Sequence, residues 1–276
     1  MKSKTMFGLF ILLAMAQLAV GQQAKEFRKT VAFEPGGELT FVTDKGSVKL
    51  TAWDRREVEV YARIEPPVNE SADYGRRAVE AAQVEVTGTA RALTIRSDFE
   101  AVPSKDTRWG DNRTLPDIHY EIKAPRELNL RLTADRSRVN VQGFAGRLQL
   151  QTDRTPVDAG ELSGEIVIKV DRGEVRLTAL RGSLNLSTDR TDSHIAGLAI
   201  ERDSLLNISR GEAELRVPET QRLSVSARTG RRETFQSDFE IATRNFNTDL
   251  IEGTINGGGP RLSVTGDRSQ VHLRRQ

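Results

Sequence analysis

The chain has 276 residues, of which 37% are hydrophobic, 29% charged and 5% aromatic, and it contains no cysteine. That composition excludes a disulfide scaffold and argues against a lipid anchor, which needs a cysteine at its cleavage site. The formal charge of +2 vanishes when Lys2 and Lys4 leave with the leader described next (41 basic residues minus 2 gives 39, against 39 acidic), so a global attraction to nucleic acid or an anionic membrane is excluded.

Residues 1–21 read as a signal peptide. Lys2 and Lys4 precede an apolar run of 11 residues from Met6 to Ala16, and Ala19-Val20-Gly21 places cleavage before Gln22. The run is shorter than the roughly 20 residues that span a bilayer, and no second stretch predicts a membrane span. The product is expected outside the cytoplasm, periplasmic or secreted.

Residues 22–38 read as a polar lead, followed by a first coil at 39–64. Pro66 and Pro67 end it and open an insert, 65–117. Within the insert, Ser71 and the alanines that follow predict a helix in the stretch Asn69 to Gln83. Strands resume at 84–86 and 92–95, a polar loop fills 98–116, and a strand covers 118–122. Residues 230–260 read as irregular before a last coil at 261–273.

Between 128 and 217 the chain repeats. Asp135-Arg136, Asp153-Arg154, Asp171-Arg172 and Asp189-Arg190 recur every 18 residues. Around them stand apolar columns: Leu130, Leu148, Ile166, Leu184, then Leu132, Leu150, Ile168, Leu186. Each unit alternates with period two on either side of the Asp-Arg pair, which marks short strands with one buried face joined by a turn. A unit this short cannot bury that face alone, whereas stacked units can. The expected fold is therefore all-β: a β-solenoid, parallel β-helix-like, with ~18-residue coils about 4.8 Å apart and one short helix, forming a single domain over 22–276. The segments 39–50 and 262–273 overlay the same register. The glycines of a calcium β-roll are absent around Asp153 and Asp171, and a hexapeptide helix fails because Arg154 and Gly160 fall six and twelve positions after Leu148.

Two stretches carry a resemblance. Ile118-His119-Tyr120-Glu121-Ile122-Lys123-Ala124-Pro125 and Gly46-Ser47-Val48-Lys49-Leu50-Thr51-Ala52-Trp53-Asp54-Arg55 resemble the entry and first coil of the bacterial "putative adhesin" family, a β-strand-repeat domain of unknown function. The resemblance covers 35–273. It implies an exported protein of the cell envelope and brings no catalytic residues. Where the family favours Asn-Gly-Asp at the turn, this chain has Asp-Arg followed by Ser, Thr or Gly.

Arg136, Arg154, Arg172 and Arg190 are candidate binding residues, since guanidinium groups pair with the carboxylates of an acidic glycan. Trp109, in the loop with Arg108, Asp111 and Arg113, is a second candidate because an aromatic ring stacks on sugars. Asp135, Asp153, Asp171 and Asp189 are expected to close the turns by accepting backbone N–H groups. Gln149, Gln151, Asn185 and Ser187 form an outward polar strip. His119, His194 and His272 are scattered and lack metal-ligand spacing. No metal, no cofactor and no catalytic residue is assigned. The leading expectation is a non-enzymatic structural or surface-binding module of the envelope, with an envelope glycan or another surface protein as partner. The alternatives are a polysaccharide-binding or polysaccharide-acting β-helix protein, and self-association by end-to-end stacking.

Overall fold

A computed structural model describes residues 24–104, 113–228, 234–247 and 250–276. The leader and the loop residues Arg108, Trp109 and Asp111 lie outside the described residues.

Among the described residues the fold is all-β with one short helix. In chain order the strands are β1 (Lys25–Ala32), β2 (Glu38–Thr43), β3 (Gly46–Trp53) and β4 (Glu57–Glu65), then helix α1 (Ala72–Ala81), β5 (Gln83–Gly88), β6 (Ala92–Asp98) and β7 (Asp117–Pro125). The repeats supply β8 (Asn129–Asp135), β9 (Ser137–Gln142), β10 (Ala145–Asp153), β11 (Val157–Gly160), the long β12 (Ser163–Ile200), β13 (Ser204–Ser209) and β14 (Glu212–Val217). The chain ends with β15 (Leu223–Arg228), β16 (Thr234–Ser237), β17 (Ala242–Asn247), β18 (Leu250–Ile255), β19 (Arg261–Asp267) and β20 (Gln270–Arg275). All of them belong to one hydrogen-bonded sheet that curls back around one apolar interior.

The repeat period appears directly in the pairing. Leu148 lies in parallel register with Leu130 on one side and Ile166 on the other, and Val157 likewise with Val139 and Val175. Two ladders result, one before the Asp-Arg turn and one after it. β12 passes through two levels: Ile166 pairs back onto β10, while Asn185 pairs forward onto Leu205 of β13 at an offset of 20. Alternation follows, with Leu148 and Leu150 buried and Gln149 and Gln151 turned outward. Each fully buried Leu or Ile contributes on the order of 1.5–3 kcal/mol, so the aliphatic columns dominate the stability of the coils.

The levels are not stacked in chain order. β2 and β3 lie between β6/β7 and β8/β9. At the other end β19 and β20 lie between β13/β14 and β15/β16. The expected parallel sheet also gives way at both ends to antiparallel pairs: β1 on β4, β4 on β7 and β5 on β6 at one, β15 on β18 and β17 on β18 at the other. Strands thus replace the polar lead and much of the irregular 230–260 segment. β1 eluded the pattern because it is an exposed edge strand, with only Phe27 and Val31 packed against the core.

The helix closes the first of these ends. Ser71 caps it, its hydroxyl accepting from Tyr74 N at 3.2 Å, and Tyr74, Gly75, Ala78 and Val79 are buried. From edge strand β1, Lys25 Nζ donates to the Glu80 and Ala82 carbonyls and Lys29 Nζ to the Val86 carbonyl. These bonds tie the edge of one ladder to the edge of the other, a device that blunts sheet-edge pairing. The Tyr120 ring, fully buried, packs edge-on against Phe41 at 4.9 Å. Its hydroxyl lies 2.8 Å from Ser97 Oγ, itself 3.0 Å from Thr43 Oγ1, and burial pushes the phenol pKa well above its ordinary value.

Candidate functional site: a charged ladder beside an open groove

Each Asp-Arg pair sits where one strand turns into the next. Arg136, Arg154, Arg172 and Arg190 all have positive φ, between 44° and 59°, as do Arg210 at 54° and Arg268 at 51°. This left-handed conformation favours glycine or asparagine, so the arginine column occupies the bend itself. The hydroxyl of the next residue holds the bend: Ser137, Thr155 and Thr191 donate through Oγ to the carbonyls of Asp135, Asp153 and Asp189 at 2.9, 2.7 and 2.9 Å. Adjacent bends are joined through backbone, with Arg136 N donating to Asp153 O and Arg154 N to Asp171 O.

The aspartate carboxylates therefore do something other than the expected capping of the turn. They bind guanidinium groups above and below. Arg154 reaches Asp135 of the preceding coil at 3.1 Å and its own Asp153 at 3.0 Å. Arg172 spans Asp153 and Asp171 at 3.1 and 3.2 Å, and Arg190 spans Asp171 and Asp189 at 3.0 and 3.1 Å. Arg136 closes one end on Asp135 at 2.9 Å, and Arg210 closes the other on Asp189. The stacked like charges that an 18-residue repeat creates are offset by this zigzag of opposite charges. Its members are half exposed, so each bridge contributes little on its own.

Beside the ladder runs an open groove of about 580 Å³ that crosses the stacked strands. Three adjacent columns line it. One is polar and outward: Thr133, Gln151, Lys169, Ser187, Asn207 and Thr265. The middle column contains Ala134, Thr152, Val170, Thr188 and Ile208. The third is the aspartate column, extended by Asp44 and Asp267 and interrupted by Ser209. Among the described residues Lys169 is the one basic residue in this lining. A smaller hollow of about 280 Å³ continues onto Arg131, Gln149 and Val167.

The sequence-predicted strip of Gln149, Gln151, Asn185 and Ser187 lies on this same outer face. The four candidate arginines form one ladder, whereas Trp109 lies outside the described residues. Of its neighbours, Arg113 is held by the Phe99 and Glu100 carbonyls at 3.0 and 2.8 Å. The histidines stay apart: His119 Nδ1 lies 2.9 Å from Ser47 Oγ, His272 Nδ1 lies 3.3 Å from an Arg274 nitrogen, and His194 is on β12. The groove itself was legible only as a polar strip, because its concavity depends on how the levels stack.

No protein-family model matches the chain, and no curated protein matches it in sequence. Solved structures do resemble it over nearly its whole length. A "putative adhesin" from Parabacteroides distasonis is 13% identical, with 90% of this chain and 97% of that one covered and a TM-score of 0.44. A "putative adhesin" from Bacteroides fragilis is 10% identical, with 91% and 97% covered and a TM-score of 0.43. A "putative lipid binding protein", also from Parabacteroides distasonis, is 12% identical, with 90% and 96% covered and a TM-score of 0.40. Among the described residues no helix is long and apolar enough to cross a membrane.

Proposed function

We propose that the chain is an exported, adhesin-like, non-enzymatic module of the bacterial envelope, built as a β-solenoid of ~18-residue coils that presents one repetitive polar face to a surface partner. The observation that carries this reading is the Asp-Arg zigzag from Arg136 to Arg210, which keeps one outer edge in register across successive coils. A catalytic site singles out one place in a fold, with acid, base and orienting groups that differ in role. Here the same Asp-Arg pair recurs at four successive levels, from Asp135 to Arg190, and repetition suits a ligand that is itself repetitive or a broad surface.

Two further features agree with it. The helix of the insert and the β1 lysines close one end of the stack, so this part of the insert acts as a lid on the core rather than as the wall of a cleft. At that end the Lys25 and Lys29 bonds also occupy the sheet edges, which disfavours end-to-end stacking there.

The test uses purified residues 22–276 and isolated envelope fragments. Saturable retention without release of new reducing ends is the expected result. Release of reducing ends would replace the reading with a glycan-cleaving enzyme, and no saturable retention would remove the adhesive role. Export is checked separately, by fusing residues 1–21 to a reporter that is active only outside the cytoplasm. An inactive fusion would contradict it.

A further inference from the structure

We infer that the groove beside the aspartate column binds a neutral, hydroxyl-rich linear glycan lying along the stack, across the strands. This deepens the adhesin-like reading and rests on it.

Charge is the first argument. The groove wall carries Asp135, Asp153, Asp171 and Asp189, while the arginines stand outside the lining with their guanidiniums already bridged to those carboxylates. A polyanion meets acceptors there and gains few free cations. The opposite wall offers hydroxyls and amides, among them Gln151, Ser187 and Asn207, which both donate and accept. A carboxylate has about four acceptor sites, so those taken by guanidiniums leave capacity for hydroxyl donors.

Spacing is the second. Levels recur about every 4.8 Å. An extended peptide presents same-side groups about 6.6 Å apart, so it falls out of step with the columns. The sheet beneath is paired on both sides at these levels, leaving no free edge for strand addition. A sugar chain carries several hydroxyls on every ring, so a donor comes opposite each carboxylate without strict register.

The third observation concerns the middle column. Thr152 and Thr188 are 4% and 5% exposed, both line the groove, and their hydroxyls are among the buried polar atoms of the described residues that have no hydrogen-bond partner. Valine at the equivalent Val170 shows that the coil does not need a hydroxyl there. Both hydroxyls face inward and are sealed from solvent, so the groups a glycan reaches are the outward Gln151, Ser187 and Asn207 and the aspartate carboxylates, while the exposed surface between them is mainly carbon and suits the C–H faces of sugar rings.

The test is native affinity electrophoresis of residues 22–276 through gels containing mixed-linkage β-glucan, galactomannan or polygalacturonate, with an oligolysine peptide as competitor. Retardation by at least one neutral glycan and none by polygalacturonate is expected. Ser187→Trp, which puts a ring into the groove wall from an outward position, should weaken that retardation by about tenfold. Arg176→Trp, outward on the other ladder, should leave it unchanged. Both variants are checked for an unchanged melting transition, and Ser187→Tyr replaces the first if it fails to fold. Stronger retardation by polygalacturonate, equal effects of the two tryptophans, or displacement by oligolysine alone would overturn the assignment. Envelope retention with no response to either neutral glycan would refute the glycan while leaving the adhesin-like reading in place.

Discussion

Arg210 grips Asp189 with two guanidinium nitrogens, Nε at 2.8 Å and Nη2 at 2.6 Å, although 21 positions separate them in the chain. The fork crosses from one coil to the next and ends the zigzag at the level where Ser209 replaces aspartate. Desolvation alone would raise the Asp189 carboxyl. The hydrogen bond and charge of Arg210, together with the charge of Arg190, outweigh it and hold the group below its ordinary carboxylate value.

That shift has a sign in solution. A carboxylate lowered by folding stabilises the native state above the ordinary carboxylate value, about 3.9, and loses that contribution as pH falls through the folded value. Asp238, lowered by its bond to Arg274, and Glu214, lowered by its bond to Arg216, act in the same direction. The melting midpoint should therefore be flat from pH 7 to about 5 and fall below about pH 4. Asp189→Asn should flatten part of that fall. A midpoint that rises on acidification would contradict the ladder's role.

Glycine is demanded where β12 passes β10. Gly164 has φ +114°, and a Cβ there would lie 2.2 Å from the Gly146 carbonyl oxygen. Gly164→Ala should cost roughly 2–4 kcal/mol by denaturant titration. Arg172→Ala, which removes two half-exposed bridges, should cost no more than about 1 kcal/mol. The reverse order would mean that charge, rather than backbone contact and core packing, holds the coils.

Thr152→Val is expected to stabilise. The hydroxyl is buried and unpartnered, and Val170 already occupies the next level of the column. An isosteric methyl removes the desolvation penalty, worth about 1 kcal/mol. A loss of stability on this change would show that the hydroxyl has a bonding role within the fold.

Truncation tests the interleaving. Because β19 and β20 lie between β13/β14 and β15/β16, a stop after Gly259 removes an interior level. The shortened chain should lose cooperative unfolding altogether. A sharp transition shifted by only a few degrees would mean that the last coil is terminal.

The columns were legible because stacking imposes one side-chain requirement per position: Leu130, Leu148, Ile166 and Leu184 face one interior, as do the overlaid Leu39 and Leu262. Helix α1 announced itself through Ser71 and its alanines. Spatial order left no trace, since a period reports register and every level shares it. β16 to β18 were missed because they pair at an end, where the repeat is no longer imposed. The left-handed arginines gave no warning either, as the usual signal for that conformation is glycine or asparagine. The Asp-Arg phrase thus showed where the turns lie and that opposite columns stack beside each other, while the partners each arginine takes depend on the left-handed bend.

Segments far apart in sequence form adjacent levels of one face. Asn207 and Thr265 stand directly opposite each other in the groove wall, while Arg228 is the partner of Thr265 on its far side. The chain has no native cysteine, so an Asn207→Cys, Thr265→Cys pair has no competing thiol. Mild oxidation should link that pair in the monomer and leave an Asn207→Cys, Arg228→Cys pair reduced. Linking of 207 to 228, with 207 and 265 remaining free, would contradict the stacking order and the groove it builds.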